Sequence, residues 1–329
     1  MLTITKPNSE NAEETINIDS PNFLQLLKIR WDEVYSEPDV FRYKINNLRE
    51  KIIDYKYILL LNKDRGFKRR TPEFIADIRQ PFDSEKFNFS KVSPKEILFE
   101  MRKTDSNNIH TFLVNVSPIS QYHTLLCPSV NLCLPQVVTE DSLKLAIEVK
   151  FLAQDRNLKL GFNSLCAFAS VNHLHYHLLF DKNTWLVETA KCRHLKGRLY
   201  VCEVNPVPAF CFEVTKHTIL QEARNIFKLI EYFLEKSIGH NILMVTGKPV
   251  VPGNNDCEVV RVLVTPRKST AGVKQLTSFN VAVYELNGWF PVFNPDSFDV
   301  LSAADLEREL RKWEFPNFEK LCDEIKSFY

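Results

Sequence analysis

Residues 161–180 read GFNSLCAFASVNHLHYHLLF and contain three histidines in alternating positions, His173, His175 and His177. Single leucine and tyrosine residues separate them. Because successive side chains of a β-strand point to opposite faces, the alternation predicts a strand with three imidazoles on one face and apolar side chains on the other. In a helix the same histidines would spread around the axis. The stretch therefore predicts a sheet protein with a histidine cluster.

The segments on both sides of this stretch predict further strands and helices. Short apolar runs that end at polar turns predict strands at residues 55–62, 96–101, 111–118, 123–128, 240–247 and 258–266. Asn287-Gly288 predicts a type I′ hairpin between residues 279–286 and 289–294. Helical spacing of apolar residues predicts helices at residues 23–35, 139–153, 218–237, 303–313 and from 318 onward, and the basic segment 63–72 is predicted to be a loop. Since regular βαβ alternation is missing, the pattern predicts an α+β fold with a mostly antiparallel sheet and packed helices.

Three units are predicted along the chain. Residues 1–19 are polar and without periodicity, which predicts a flexible N-terminal tail. Pro206 and Pro208 interrupt the chain before the helix that starts near residue 218. We therefore predict a catalytic domain at residues 20–207 and a smaller C-terminal α+β domain at residues 208–329.

The composition limits the classes of protein and partner. The 329 residues are 44% hydrophobic and 25% charged, with a formal net charge of +1 at pH 7. Since both signs are scattered, we predict no nucleic-acid or membrane partner and favour a small polar ligand. No apolar run approaches the ~20 residues of a membrane helix, and the polar N-terminus lacks a signal-peptide pattern, which predicts a cytoplasmic protein. Eight cysteines without a C-x-x-C pair indicate neither a disulfide framework nor a zinc ribbon.

Nucleophilic catalysis on phosphorus explains the histidines best. A neutral imidazole is a nucleophile near pH 7. When one ring nitrogen donates its N–H to a backbone carbonyl, the lone pair is on the other ring nitrogen, which can attack. Flanking imidazoles and hydroxyls can donate hydrogen bonds to phosphate oxygens. Ser170 lies three residues before His173, and Asn163 could turn in from the preceding loop.

Two other interpretations of the histidines remain open. They could form a polar strand face without function, in which case each imidazole needs a hydrogen-bonding partner. They could also bind zinc or iron, which requires a further ligand such as a carboxylate. Asp181 is the one carboxylate at a recognisable offset, and it follows at the strand end. The sequence therefore favours phosphorus chemistry with no metal and no cofactor.

The histidine stretch resembles the histidine-triad superfamily, and FNSLCAFASVNHLHYH is similar, more narrowly, to the GDP-hexose phosphorylase family. Four further segments follow the family pattern in the same order, from about residue 20 to about residue 320. They are LNKDRGFKRRTPEF (61–74), QPFDSEKFNFSKVSPKEILF (80–99), VNVSPISQYHTLLCP (114–128) and FNVAVYELNGWFPV (279–292). The resemblance implies a histidine-triad-like fold.

The resemblance also implies an activity and the residues that perform it. His175 would attack the α-phosphorus of GDP-glucose, expel glucose 1-phosphate and hold the guanylyl group. Inorganic phosphate would then accept this group to give GDP. His173 would orient His175, and His177 with Ser170 would hold phosphate oxygens. The substrates would thus be GDP-glucose and inorganic phosphate, and the sequence does not predict the oligomeric state.

Other substrate contacts follow from the same resemblance. Asn115 matches a position that contacts the ribose hydroxyls, and His123 matches the histidine of the following strand. In the basic segment, Arg65 and Arg70 would contact phosphate, since no metal neutralises the diphosphate. Independently of the resemblance, Lys268 in the second basic loop PRKSTAGVK is expected to reach the site from the C-terminal domain.

The chain departs from the family pattern at two positions. The family has glycine where this chain has Tyr122 and Cys166. A larger side chain at either position is expected to narrow the pocket and to alter substrate choice or activity. Two alternatives to a phosphorylase therefore remain: a nucleotide hydrolase that uses the same histidines, and a family member that binds guanine nucleotide without turnover.

Overall fold

The structure of the chain, a computed structural model, describes residues 2–5, 13–16, 22–69, 73–103, 106–254, 258–271 and 278–329. Within these residues the strands are β1 (Leu2–Thr5), β2 (Glu13–Ile16), β3 (Arg49–Ile53), β4 (Tyr57–Leu61), β5 (Ile97–Lys103), β6 (His110–Val114), β7 (Thr124–Cys127), β8 (Leu158–Asn163), β9 (Tyr176–Phe180), β10 (Arg193–Lys196), β11 (Leu199–Cys202), β12 (Ala209–Val214), β13 (Gly239–Gly247), β14 (Val259–Arg267) and β15 (Trp289–Val292). The α-helices are α1 (Asn22–Ser36), α2 (Lys63–Lys68), α3 (Glu140–Ala153), α4 (Leu186–Thr189), α5 (Ile219–Glu235), α6 (Val283–Leu286), α7 (Pro295–Val300), α8 (Ala303–Arg311) and α9 (Phe318–Lys326).

Twelve strands form one antiparallel sheet in the order β10-β11-β12-β14-β13-β8-β9-β7-β6-β5-β1-β2. Every neighbouring pair is antiparallel, which confirms the predicted α+β class. β1 and β2 lie at the edge of this sheet, within the predicted N-terminal tail, whose other residues are outside the described part of the chain.

The large sheet consists of two units with the same topology. The spatial order β5-β6-β7-β9-β8 is repeated as β10-β11-β12-β14-β13. Along the chain, α3 precedes β8 in the first unit and α5 precedes the equivalent strand β13 in the second. The two units meet at β8 and β13, where Asn163 pairs with Asn241. No repeat is evident in the sequence, because a shared topology needs only a similar pattern of apolar positions. The predicted domain boundary at 207/208 lies between β11 and β12, which pair directly, and it stays a prediction.

A second sheet of three strands has the order β15-β4-β3, and β15 pairs with β4 in parallel. The predicted hairpin at Asn287-Gly288 is therefore wrong. A type I′ turn needs positive φ at both central residues, but Asn287 has φ −106° and only Gly288 is positive, at +93°. Residues 283–286, predicted to be part of a strand, form α6.

The two faces of the large sheet are covered differently. The main core lies between one face and helices α1, α3, α5 and α9, and it includes Leu174, Tyr176 and Leu178. On the opposite face, β4 and β15 cover the second unit through Ile58, Leu60 and Trp289. The histidines of the first unit therefore lie on the face away from the helices. None of the helices in the described part of the chain has the length and apolar character of a membrane span.

Candidate active site

A cavity lies on the sheet face of the first unit that carries the histidines. Its lining combines polar residues near the start of β9 with apolar residues nearer to β5. The lining residues are Arg65, Arg69, Phe87, Phe89, Val92, Glu96, Leu113, Val114, Asn115, Val116, Ser117, Leu125, Ser170, Val171, His175 and His177. Five residues predicted from the sequence thus come together here: Arg65, Asn115, Ser170, His175 and His177.

His175 is held in one orientation by its own chain. It precedes β9, is 3% exposed, and places Nδ1 2.8 Å from the backbone oxygen of His173. A carbonyl only accepts, so Nδ1 carries the proton and a neutral ring has its lone pair on Nε2. His175 therefore has the tautomer that a nucleophile requires.

The predicted strand is shorter than the alternation of histidines. β9 begins at Tyr176, so only His177 belongs to it. His173 lies in a bend, and His175 lies in the irregular segment that leads into the strand. The side chain of Gln136 takes the place of a neighbouring strand. Its Oε1 accepts from the His175 N–H at 2.8 Å, and its Nε2 donates to the backbone oxygens of His175 and Asn163 at 3.1 and 3.0 Å. Gln136 is 1% exposed and was not predicted from the sequence.

His177 and His123 form a second, linked arrangement of imidazoles. The Ile119 N–H donates to Nδ1 of His123, so a neutral His123 carries its proton on Nε2. This Nε2 lies 3.1 Å from Nδ1 of His177, which becomes the acceptor. A neutral His177 then carries its proton on Nε2. Burial, helped by the nearby Arg65 and His175, holds the pKa of His123 well below the ordinary value, so it stays neutral.

His123 and His173 support the cavity from outside its lining. Both are fully buried. His173 accepts from the Phe89 N–H at 3.0 Å and packs between Phe82 and Phe89. The backbone oxygen of His173, not its ring, contacts His175. The sequence-based expectation that His123 touches substrate does not match its place behind His177.

The basic segment places two arginines in the cavity. The predicted loop is wrong at its start, because Asn62 caps α2 by accepting from the Arg65 N–H at 3.2 Å. Helical spacing then brings Arg65 and Arg69 to one side, and Arg65 donates to the backbone oxygen of Ser117. The predicted contact Arg70 lies outside the described residues.

Arg69 is a cation that forms no ion pair with a described carboxylate, although Glu285 lies near enough to act on its charge. Its Nε and Nη2 atoms are buried and have no hydrogen-bonding partner among the described residues. Burial lowers the pKa of Arg69 and the neighbouring Arg65 lowers it further, against a smaller opposing effect of Glu285. Two adjacent guanidiniums, of which Arg69 has unused donors, form a site for an anion with several oxygens, such as a phosphate.

Two other predicted contacts lie elsewhere. Oδ1 of Asn163 accepts from Asn241 at 2.7 Å and from the Val283 N–H at 2.9 Å, so it joins β8, β13 and α6 outside the cavity lining. Lys268 lines a separate cavity of about 890 Å³ with residues of α8 and α9. The structure therefore does not bring these two residues to the histidines. Among the described residues, no cluster of His, Cys, Asp and Glu is placed to hold a metal ion.

Tyr122 and Cys166 both have backbone conformations that favour glycine. Their φ angles are +62° and +58°, a region in which side chains cost about 1 kcal/mol. Tyr122 packs edge-on against Trp31, and Cys166 packs with Leu165 and Ala169. Neither residue lines the histidine cavity. The expected narrowing of the pocket is therefore not found.

The Gln136→Glu variant tests whether the side chain positions the nucleophile. The carboxylate keeps an acceptor for the His175 N–H but turns an oxygen towards two carbonyl oxygens. We expect kcat to fall about 10- to 100-fold, and the free energy of unfolding to fall by ~2 kcal/mol or more. Steady-state kinetics and urea unfolding measure both. Gln221→Glu, at an exposed position, is the control. If both variants had the same kcat and the same free energy of unfolding, Gln136 would not position His175.

Buried neutral histidines predict a steep loss of stability in acid. Burial lowers the pKa of His110, His173 and His240 to about 4 in each case. Since the unfolded chain takes up these protons near pH 6.5 and the folded chain does not, the free energy of unfolding falls between about pH 6.5 and pH 4, by at most ~1.4 kcal/mol per pH unit for each histidine. His110→Asn keeps an acceptor for the Ser129 N–H and removes one titrating group. Urea unfolding at pH 5 to 7 should therefore give a shallower slope; an unchanged slope would exclude His110 as a contributor.

Solved structures share the fold of the chain. Yeast Ap4A phosphorylase Apa2 in complex with Ap4A superimposes with a TM-score of 0.63 at 12% identity, covering 90% of this chain and 98% of the yeast chain. The same enzyme in complex with AMP gives a TM-score of 0.61 at 13% identity, over 88% and 97% of the two chains. The chain, with its duplicated antiparallel sheet, therefore has the fold of this yeast protein.

Two domain models of one family match almost the whole described chain. "GDPGP1-like, N-terminal domain" matches residues 22–179 and "GDPGP1-like, C-terminal domain" matches residues 186–328. The chain therefore belongs to the GDPGP1-like family, the GDP-hexose phosphorylases. GDP-D-glucose phosphorylase 1 of Xenopus laevis is 31% identical over 90% of this chain and 84% of its own length. The Danio rerio relative of the same name is 34% identical over 85% and 83%. GDP-L-galactose phosphorylase 2 of Arabidopsis thaliana is 36% identical over 55% and 47%.

Proposed function

We propose that the chain is a cytoplasmic GDP-D-glucose phosphorylase that converts GDP-glucose and inorganic phosphate into GDP and glucose 1-phosphate. The observation that carries the proposal is the 2.8 Å contact between Nδ1 of His175 and the backbone oxygen of His173. It sets the lone pair on Nε2, in a cavity that also holds two arginines. The relatives matched over most of the chain are named for GDP-D-glucose, which favours this hexose.

The first half of the reaction is a displacement at the α-phosphorus. The Nε2 lone pair of His175 forms the P–N bond as the bond to the bridging oxygen breaks and glucose 1-phosphate leaves. The imidazole becomes cationic, and the backbone oxygen of His173 stabilises its Nδ1–H. Arg65 and Arg69 offset the charge that develops on the phosphate oxygens. His177 and Ser170 are placed to donate to these oxygens.

The second half regenerates the enzyme. An oxygen of inorganic phosphate attacks the same phosphorus, the P–N bond breaks, and GDP forms while His175 returns to its neutral state. The site residues thus act in both steps, and Asn115 lines the same cavity, where it can hold the ribose hydroxyls. A hydrolase would differ only in the acceptor, which would be water.

The dependence on phosphate tests this proposal directly. Purified protein with GDP-glucose should release at most about one equivalent of glucose 1-phosphate without phosphate, and should turn over continuously once phosphate is added. The nucleotide product should then be GDP. Continuous release of GMP without phosphate would identify a hydrolase. Binding of GDP-glucose without any release would identify a binding protein.

A further inference from the structure

Glu96 is the only acidic residue among the described residues that line the histidine cavity. It lies directly before β5, and its Oε1 accepts from the Ser93 N–H at 3.1 Å within a capping box. It forms no ion pair with a described residue, and so it does not neutralise Arg65 or Arg69. Its carboxylate is therefore fixed in place, and its oxygens can accept further hydrogen bonds from a ligand.

Ile97, the residue directly after Glu96, and His177 lie at opposite ends of one row of paired residues across the sheet. Ile97 pairs with Leu113, Leu113 with Leu125, and Leu125 with His177. Directly paired residues share a face, and three strand spacings correspond to ~14 Å. This separation is comparable with the length of an extended nucleotide from its phosphorus to the far edge of its base.

The cavity between these ends is apolar. Phe89 packs with Leu113 and Leu125 in one buried cluster, and Phe87 and Val92 cover it. Aromatic and aliphatic side chains bind the flat face of a nucleobase. A nucleotide with its α-phosphate at His175 therefore has its base on these residues and its base edge towards Glu96.

We propose that Glu96 selects guanine by accepting hydrogen bonds from its N1–H and its 2-amino group. This inference rests on the proposed function of the site. Guanine presents these two donors side by side, which suits a carboxylate. Adenine presents an unprotonated N1 at the same place, and the lone pair of this nitrogen repels the carboxylate. Hypoxanthine keeps N1–H but lacks the amino group, so it should bind with intermediate affinity.

Equilibrium binding of GDP, IDP and ADP tests the inference independently of turnover. The wild-type protein should bind GDP about 100-fold more tightly than ADP, with IDP between them. In Glu96→Gln, which keeps the acceptor for the Ser93 N–H, this ratio should fall at least tenfold. Ser93→Ala is the matched control, because it alters the same turn and leaves the carboxylate; it should keep the wild-type preference.

Kinetics separate this inference from the proposed function. With GDP-glucose and ADP-glucose, Glu96→Gln should lose its discrimination mainly through a higher KM for GDP-glucose. An unchanged preference for GDP over ADP in Glu96→Gln would overturn the role of Glu96 and leave the phosphorylase intact. A wild-type protein that prefers GDP but turns over neither sugar nucleotide would contradict the proposed function and leave the role of Glu96 intact.

Discussion

Replacing His175 with asparagine is expected to lower kcat with GDP-glucose and phosphate by ~10⁴-fold or more. The asparagine amide can donate to the backbone oxygen of His173 as Nδ1 of the imidazole does. The substitution therefore keeps the local hydrogen bond and removes only the nucleophilic nitrogen. Binding of GDP should stay within about tenfold, because the arginines and the apolar part of the cavity are unchanged. Steady-state assays and calorimetry measure these two effects.

His240→Asn is a closely matched control for this variant. Nδ1 of His240 lies 3.1 Å from the backbone oxygen of Ile238, which repeats the geometry of His175 on a buried residue outside the cavity. The control should keep activity within a few-fold. If both variants lost activity alike, the loss would reflect the fold, and a His175→Asn protein with wild-type turnover would exclude His175 as the nucleophile.

Replacing Arg69 with glutamine is expected to lower kcat/KM for phosphate by about 10²- to 10³-fold. The guanidinium is half-buried, has donors without a partner among the described residues, and lies beside Arg65. Removing this charge takes away a phosphate contact and also relieves repulsion between two cations. Without ligand the variant should therefore be as stable as the wild type or more so. Inorganic phosphate should raise the Tm of the wild type and have much less effect on the variant.

Lys68→Gln controls for the loss of one positive charge at the residue next to Arg69, the last residue of α2. Lys68 is exposed, pairs with Asp64 and lies outside the cavity lining. We expect it to change kcat/KM by less than about threefold. An Arg69→Gln protein that is less stable but fully active would show that Arg69 serves the fold and not the anion site.

Local patterns in the sequence predict most elements of the first unit correctly. The helix at 139–153 is found because acidic residues occupy its first turn and its apolar residues have helical spacing. The strands at β5, β6 and β7 follow from short apolar runs. The parallel pairing of β15 with β4 could not be found, because it joins residues more than 200 positions apart and depends on the three-dimensional arrangement of α6.

The site was predictable where the residue itself carries the chemistry. The alternating histidines indicate a cluster, and the position of Ser170 three residues before His173 adds a hydroxyl. The family resemblance adds Asn115. Gln136 lies in a loop without periodicity, and its role depends on backbone groups of distant residues. The sequence predicts Arg70 and not Arg69 as the phosphate contact because it predicts a loop for this segment. The spacing of four between Arg65 and Arg69 becomes informative only when α2 is known.

The fate of the guanylyl group is the most direct measure of the proposed mechanism. Wild-type protein incubated with GDP-glucose in the absence of phosphate should gain the mass of one guanylyl group, located by peptide mapping on His175. The adduct should be labile in acid and should be released as GDP on addition of phosphate. Turnover without an adduct on His175, or an adduct on another residue that phosphate discharges, would contradict the proposed mechanism.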